Sequence, residues 1–412
     1  MNNVKELISN CESCVTKPCQ VGCPLNIDIP GFIDKIKEEK YEEAFLLLSE
    51  YTPLMSLCGR ICPHQEQCEG SCVKKISYSP VEIGKLEAFV GDYAINNNLK
   101  IDYPNNTKFN IAVVGGGPAG LSCAYFLRKN GYGVTIYEKH DYLGGLLAHG
   151  IPEFKLSRDI VKKVIDKILQ LGIDVKYNQV LGKNILLDDL INNHDAVFIA
   201  IGSNESNIMN IPNENINGVY KGNELLENKL IIDYKDKDVV IIGGGNVAMN
   251  IASIAKKSGA RNATIIYRRT EEDSPAAISE INSAKEDKAT FLFERNVIKI
   301  NGEDHVNSVD VVKTKSINKK DIPVNIEDSK ETIKCDIVII AIGSHPEKIV
   351  EKMDIEKTQS GKIKIDNDGH TSSEKIFAGG NVAGSKATVS WAAKSGRSAA
   401  KSIIDYLNEK KI

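Results

Sequence analysis

Ile111-Ala112-Val113-Val114-Gly115-Gly116-Gly117-Pro118-Ala119-Gly120 runs directly into Leu121-Ser122-Cys123-Ala124-Tyr125-Phe126-Leu127 and then, past a glycine turn, into Val134-Thr135-Ile136-Tyr137-Glu138. A short apolar run, a Gly-x-Gly-x-x-Gly turn, a helix-forming stretch and a second apolar run make a βαβ unit. The glycines at 115, 117 and 120 let the backbone turn tightly and leave the N–H groups of the following helix, beginning Pro118-Ala119, facing a pyrophosphate. Glu138, at the end of the second strand, is placed to accept a hydrogen bond from a ribose hydroxyl.

The same pattern returns further along. Val239-Val240-Ile241-Ile242 leads into Gly243-Gly244-Gly245-Asn246-Val247-Ala248, a helical stretch and the strand Ala263 to Arg269. Here no acid stands at the ribose position. The strand ends in Tyr267-Arg268-Arg269, and guanidinium groups there suit a 2′-phosphate through charge-assisted, bidentate bonds, so NADPH is expected as the donor, with NADH as the alternative. Two surface arginines in solvent would be the plainer reading of the same residues. Each unit closes on an apolar strand with a glycine turn, Ala196–Gly202 and Asp336–Gly343. The later Ile376–Gly384 has no place in the second unit and is expected to complete the first.

The fold class that follows is α/β with two Rossmann-type nucleotide-binding domains, one inserted in the other. Residues 108–230 with 345–412 form the first and residues 231–344 the second. Gly144-Gly145-Leu146, soon after Glu138, pairs with the remote Gly380-Asn381 and with a helix starting near Ala387-Thr388. A helix N-terminus there would set a positive dipole beside a flavin N1–C2=O edge, so FAD is the expected ligand of the first site.

Residues 1–100 read differently. They show short helical patterns at Gly31–Lys40, Tyr41–Glu50 and Val81–Asn96, no strand pattern, and eight of the chain's ten cysteines, which are expected in the connections. The spacings are Cys11-x2-Cys14-x4-Cys19-x3-Cys23 and Cys58-x3-Cys62-x5-Cys68-x3-Cys72. Soft thiolates this close together suit iron–sulfur cubes, two by count. Zinc, which Cys-x2-Cys also serves, and inert buried cysteine stay open on spacing alone. Glu87 lies one turn after Ile83 on the edge of an apolar stripe, a position that suits a solvated carboxylate. The polar run from Asn96 to Asn106 reads as a linker.

Composition excludes several classes. A chain of 412 residues exceeds one core at roughly 150 residues per domain, and a net charge of -3 leaves no basic footprint for nucleic acid. The N-terminus lacks an apolar signal core and no run reaches the ~18 apolar residues of a membrane span, so a cytoplasmic location is expected. Disulfides rarely persist there, which favours metal-binding or redox roles for the cysteines. Hydride transfer to a flavin needs stacking and orientation more than acid or base, so none of the seven histidines is assigned a catalytic role. His64 and His149 read as neighbours of their sites, and Cys123 and Cys335 as core residues.

Eight stretches together resemble a known family: CESCVTKPCQVGCP (Cys11–Pro24), CGRICPHQEQCEGSC (Cys58–Cys72), PVEIGKLEAFVGDYA (Pro80–Ala94), VVGGGPAGLSCAYFL (Val113–Leu127), LGGLLAHGIPEFKL (Leu143–Leu156), IIGGGNVAMN (Ile241–Asn250), YRRTEEDSPA (Tyr267–Ala276) and AGGNVAGSKATVSWAAKSGRSAA (Ala378–Ala400). The family is the small-subunit type of NADPH-dependent glutamate synthase, shared with the large subunit of NADH-dependent ferredoxin:NADP oxidoreductase and with the N-terminal half of dihydropyrimidine dehydrogenase. The resemblance implies FAD and two [4Fe-4S] clusters with crossed ligands. Cys11, Cys14, Cys19 and Cys72 would hold one cluster, and Cys23, Cys62, Cys68 and Glu87 the other, which overrides the solvated reading of Glu87 and leaves Cys58 a non-ligand. Three departures stand out: Asn381 and Asn250 where Asp is usual, and Ser157 where Pro is usual.

The function implied is an electron-transfer oxidoreductase subunit, in which NADPH reduces FAD and single electrons pass through the clusters to a partner subunit or ferredoxin. The chain is expected to work in an oligomer or hetero-complex, with no module of its own for amide transfer or pyrimidine reduction. Subunits of a ferredoxin:NADP oxidoreductase or of a dihydropyrimidine dehydrogenase are alternatives. A flavin disulfide reductase would need a Cys-x-x-Cys facing the flavin, where the second domain offers only Cys335. A scaffold that binds metal and nucleotide without turnover is the non-enzymatic alternative.

Overall fold

The computed structural model describes residues 2–76, 79–104, 109–227, 230–316 and 321–410. Asn105 and Asn106 of the expected linker, and Lys108 at the expected start of the flavin domain, lie outside the described residues. The chain divides into two compact units, one made of residues 1–148, 153–203 and 346–412, the other of residues 149–152 and 204–345.

The first unit opens with six helices: α1 (Asn2–Ser9), α2 (Pro18–Gly22), α3 (Ile29–Lys37), α4 (Tyr41–Ser49), α5 (Met55–Ile61) and α6 (Ile83–Asn96). Asp28 caps α3 by accepting from Gly31 N–H at 3.3 Å, and the face bearing Phe32, Ile33 and Ile36 is buried. Each such side chain contributes about 1.5–3 kcal/mol of burial. The cysteines do not all lie in connections as expected. Cys19 falls in α2 and Cys58 in α5, because Pro18 starts one short helix and the apolar Met55-Ser56-Leu57 the other.

After β1 (Asn110–Val114) come α7 (Pro118–Lys129), β2 (Gly133–Tyr137), β3 (Asp174–Lys176) and β4 (Ala196–Ile199). The sheet is wholly parallel, in the order Ile376–Ala378, β4, β1, β2, β3, with Ile376 opposite Val197 and Ala378 opposite Ile199. The C-terminal segment therefore joins the first sheet. Ser157, the departure from proline, caps the helix Arg158–Leu169 by accepting from Asp159 N–H at 3.2 Å.

A long C-terminal helix, Val389–Glu409, lies on α7 through small residues. Ser122 Oγ donates to Ala393 O at 2.8 Å, and a Cβ on Gly396 would sit 2.1 Å from Ala119 O.

In the second unit a parallel sheet runs Val219–Lys221, Ile337–Ile340, Asp238–Ile242, Asn262–Tyr267, Thr290–Phe293. Residues alternate between its faces. Val239 and Ile241 pack with Met249 and Ile251 of the helix Asn246–Lys257, while Val240 and Ile242 pack with Val297, Ile300, Val309 and Val311. Those last four belong to an antiparallel ladder, Arg295–Gly302 with Val306–Lys315 and Glu331–Lys334, which the sequence reading did not foresee and which takes the place of a helical layer. Among the described residues no helix is long and apolar enough to cross a membrane.

Gly396→Ala reverses the usual sign of a glycine replacement in a helix. The gain of about 1 kcal/mol from helix propensity is outweighed by an overpacking cost of about 1–3 kcal/mol. A lowered thermal midpoint of the purified chain is expected, and a raised one would show that the two helices pair loosely.

Candidate functional site

In the first nucleotide site, Gly115 at φ 105° turns the chain and Gly117 begins α7 in extended conformation. A Cβ on Gly117 would meet nothing within 4 Å, whereas one on Gly120 would lie 1.9 Å from Gly115 O. The turn is thus closed on its inner side and open on the side where a pyrophosphate would lie. Glu138 is buried, and its Oε2 accepts from Gly116 N–H at 2.7 Å while Oε1 accepts from His140 N–H at 3.0 Å. A carboxylate has about four acceptor positions, so Glu138 can fix the turn and still take a ribose hydroxyl.

Gly144 and Gly145 both adopt positive φ, with Gly144 N–H donating to Gly116 O at 2.8 Å, and Leu146 is exposed beside them. The remote segment reaches the same turn. A Cβ on Gly380 would lie 3.1 Å from Ala119 Cβ, and Gly380 N–H donates to Ser395 Oγ at 2.9 Å. Asn381 accepts from Ser203 Oγ through its carbonyl at 3.1 Å. Ala387 is exposed, and Thr388 caps the C-terminal helix by accepting from Trp391 N–H at 3.4 Å.

The second site repeats the turn, with Gly243 at φ 138° and Gly245, also open on its outer side, starting the helix that carries Asn246, Val247 and Ala248. A loop folds onto it. Asn246 Oδ1 accepts from Ala277 N–H at 2.8 Å, and Ser274 Oγ donates to Gly244 O at 2.7 Å. Tyr267 lies against Gly244. Arg269 Nη2 donates to Asp321 O at 2.8 Å, whereas Arg268 is exposed and has no side-chain partner among the described residues. Of the two arginines, Arg268 is the one free to meet a 2′-phosphate. Asn250, the second Asp-to-Asn departure, is buried in the helix behind the turn.

The cysteines form two groups. Cys11, Cys14, Cys19 and Cys72 line one apolar recess with Ile29, Ile33 and Val81. Burial pushes the Cys19 thiol up to about 11, and Cys11 and Cys72 add to the shift. Cys23, Cys62, Cys68 and Glu87 lie together deeper in the unit, with Cys58 beside them. Burial pushes Cys23 up to about 11 and raises Cys68 further, with Glu87 and Cys62 contributing to both.

Glu87 is not solvated as its helical position suggested. It is 6% exposed, its Oε1 has no hydrogen-bond partner, and burial, with the charge of Cys62, holds its carboxyl well above the ordinary range. The reason is the close crossing of α5 and α6 at Gly59, where a Cβ would lie 2.4 Å from Gly84 O. Cys58 donates to Cys62, raising its own thiol and lowering that of Cys62, and Ser390 adds its hydroxyl and N–H to Cys62. The His64 ring nitrogen Nε2 lies 3.1 Å from Cys58 O, and since a carbonyl only accepts, that nitrogen carries the proton. His149 pairs with the equally buried Glu227 at 3.7 Å.

Among the described residues no three His, Cys, Asp or Glu side chains are arranged around a single metal ion. A cube binds each ligand to a different iron, so desolvated thiols and an orphaned carboxylate gathered in two groups fit [4Fe-4S] better than a lone tetrahedral ion. Cys123 and Cys335 each stand alone and buried, with the Cys335 thiol pushed up to about 12, so they offer no reactive dithiol.

Residues 109–396 match the pyridine nucleotide-disulphide oxidoreductase family, and residues 2–99 match dihydropyrimidine dehydrogenase domain II, 4Fe-4S cluster. The small chain of NADPH glutamate synthase from Escherichia coli is 31% identical over 98% of this chain and 91% of its own length. The chain belongs to the glutamate synthase small-chain family of pyridine nucleotide-disulphide oxidoreductases. It is an NAD(P)H-dependent flavin and iron–sulfur oxidoreductase, and its cofactors are FAD, NADP(H) and [4Fe-4S] clusters. AegA of Escherichia coli is 33% identical over 96% of this chain, which spans 64% of that relative's length. Among solved structures, FprA of Mycobacterium tuberculosis in complex with NADPH has a TM-score of 0.65 at 16% identity, covering 74% of this chain and 86% of that one, a likeness of fold.

Sequence reasoning passed over Gln67, Ser390 and Arg397. Ser390 and Arg397 lie seven residues apart on one helix, a two-turn spacing that marks a common face.

Two outcomes are expected at these sites. Glu87→Ala halves the iron per chain, while Cys58→Ser leaves it unchanged, as measured by iron analysis of the purified variants; the reverse pattern would exchange the two roles. Arg268→Ala raises the KM for NADPH about tenfold or more, the loss of one charge-assisted contact of about 1.5–3 kcal/mol, and leaves that for NADH unchanged. Equal effects on both nucleotides would remove Arg268 from the 2′-phosphate.

Proposed function

We propose that this chain is an electron-transfer subunit that takes reducing equivalents from NADPH and delivers single electrons through two [4Fe-4S] clusters to a separate protein. The observation that carries this reading is that both cysteine groups and the first nucleotide turn share one compact unit. The C-terminal helix joins them, meeting Ala119 through Gly396 and the second cysteine group through Ser390. Bound FAD supplies the exchange between two-electron and one-electron chemistry.

The chain's own residues bind and orient. The Gly115–Gly120 turn and the start of α7 would hold the flavin pyrophosphate, with Glu138 on the ribose and Gly144, Gly145, Leu146, Gly380, Asn381, Ala387 and Thr388 around the rest. Gly243, Gly245, Asn246, Val247 and Ala248 would hold the NADPH pyrophosphate, with Arg268, and Arg269 behind it, at the 2′-phosphate. Cys11, Cys14, Cys19 and Cys72 would hold one cluster and Cys23, Cys62, Cys68 and Glu87 the other. The work divides with residues 1–100 conducting electrons, the rest of the first unit holding FAD, and the second unit, whose sheet begins at Val219–Lys221, holding NADPH. The acceptor is a partner subunit, as in glutamate synthase, whose small chain this resembles, or a ferredoxin-like carrier.

An anaerobic titration of the purified, iron-reconstituted chain with NADPH and with NADH tests the reading. Flavin bleaching followed by the EPR signals of reduced clusters, at lower concentrations of NADPH than of NADH, is expected. Bleaching without any cluster signal would leave a reductase with no exit for single electrons and would overturn it.

A further inference from the structure

The C-terminal helix presents two working faces. Ala393 and Gly396 meet α7, while Ser390 and Arg397 turn toward the cysteine-bearing helices. Ser390 is buried, and its one hydroxyl proton is shared between Gln67 Oε1, 3.2 Å away, and Cys62; Gln67 immediately precedes Cys68. Arg397 donates through Nη2 to Leu25 O at 2.9 Å, two residues beyond Cys23, and through Nη1 to Tyr51 O at 3.0 Å. Its guanidinium also lies 5.7 Å from the centre of the Tyr51 ring.

These anchors fix the position of a cation without neutralising it. Both hydrogen-bond acceptors are carbonyls, and among the described residues Arg397 joins no carboxylate. Burial works against its charge, and the largest opposing influence is Cys23. The other cysteine group differs. Its nearby cations are already paired: Lys74, which lines the recess, with Glu12, and Lys37, which donates to Cys11 O at 2.9 Å, with Asp34. One cysteine group therefore faces an uncompensated fixed charge, and the other does not.

We propose that Arg397 sets the reduction potential of the cluster held by Cys23, Cys62, Cys68 and Glu87. The inference rests on the ligand reading given under Proposed function. Reduction adds one negative charge to a cluster, and a cation held in a partly dry site stabilises that charge more than it would in water. Ser390, donating to Cys62 from the first turn of the same helix, acts in the same direction because a hydrogen bond to a ligand sulfur favours the more negative state. The helix that frames the flavin site thus also makes the adjacent cluster easier to reduce. Guanidinium suits the task because its fork reaches two carbonyls at once and stays charged at every working pH.

The test is a redox titration of the holoprotein followed by EPR, on wild type, Arg397→Gln, Arg397→Lys and Ser390→Ala. Iron content and visible circular dichroism establish that each variant keeps its clusters. For Arg397→Gln one midpoint is expected to fall so that the oxidised-to-reduced ratio at fixed potential rises about tenfold, which is about 59 mV for a one-electron couple, while the other midpoint stays. Arg397→Lys restores most of the shift, since charge is kept, and a purely structural role would not be rescued in potential. Ser390→Ala shifts the same midpoint the same way by a smaller amount, and it decides the matter if Arg397→Gln does not hold iron. Unchanged midpoints in the iron-loaded variants, or equal shifts of both clusters, overturn the role of Arg397 alone. Absence of any cluster signal in the wild type instead overturns the electron-transfer reading beneath it.

Discussion

Glycine at 396 is the point on which the cofactor-bearing unit depends, because there the C-terminal helix approaches α7 so closely that a single methyl would strike Ala119 O. The approach is sequence-distant and leaves no slack. It places Gly380 against Ala119 and so completes the first nucleotide turn from the far end of the chain. It also fixes where Ser390 and Arg397, on the same rigid rod, meet Gln67 and Leu25. A helix 21 residues long cannot adjust these contacts one by one, so the position of the flavin turn and the surroundings of the second cysteine group are set together.

The cysteine groups impose a second constraint. Thiols pushed up by burial and a carboxyl with no partner are costly to assemble in a dry interior. Iron held there, as proposed, would repay that cost, because a bound metal favours the deprotonated thiol and the ionised carboxylate. Cluster assembly and the folding of α5 against α6 would then be coupled steps. Cys58 is buried in the same place, and Cys62 beside it pushes its thiol up as burial does.

Both fingerprints were legible because their signal is local: glycines at positive φ between an apolar run and a helix. The return of Ile376–Ala378 to the first sheet was legible by elimination, since no other sheet needed it. What escaped depended on contacts that no period encodes. Helical spacing put Glu87 on a solvated edge, and only the crossing at Gly59 buries it. The ladder from Arg295 to Lys334 escaped because Val306–Lys315 is buried at most of its positions and does not alternate cleanly. Arg397 escaped because its anchors, Leu25 O and Tyr51 O, lie hundreds of residues earlier.

The two nucleotide turns show how little needs to change for one scaffold to take two ligands. Each has a glycine at positive φ, an open glycine at the start of a helix and a strand end one βαβ unit later. At that strand end Glu138 accepts from Gly116 N–H, so the acid both closes the turn and offers oxygen to a ribose. At the corresponding place Tyr267 packs against Gly244 and does the closing by shape, which releases the neighbouring position from structural duty. Arg268 can then project into solvent with its charge unspent. With Glu138 on a ribose and Arg268 at a 2′-phosphate, as proposed, discrimination between the two would follow from which residue holds the turn. The same economy explains a fold named for disulphide chemistry whose matching segment, residues 109–396, carries just the two separate cysteines Cys123 and Cys335. Once reducing equivalents leave through cysteine-bound iron, thiols such as Cys123 and Cys335 serve only to fill the core.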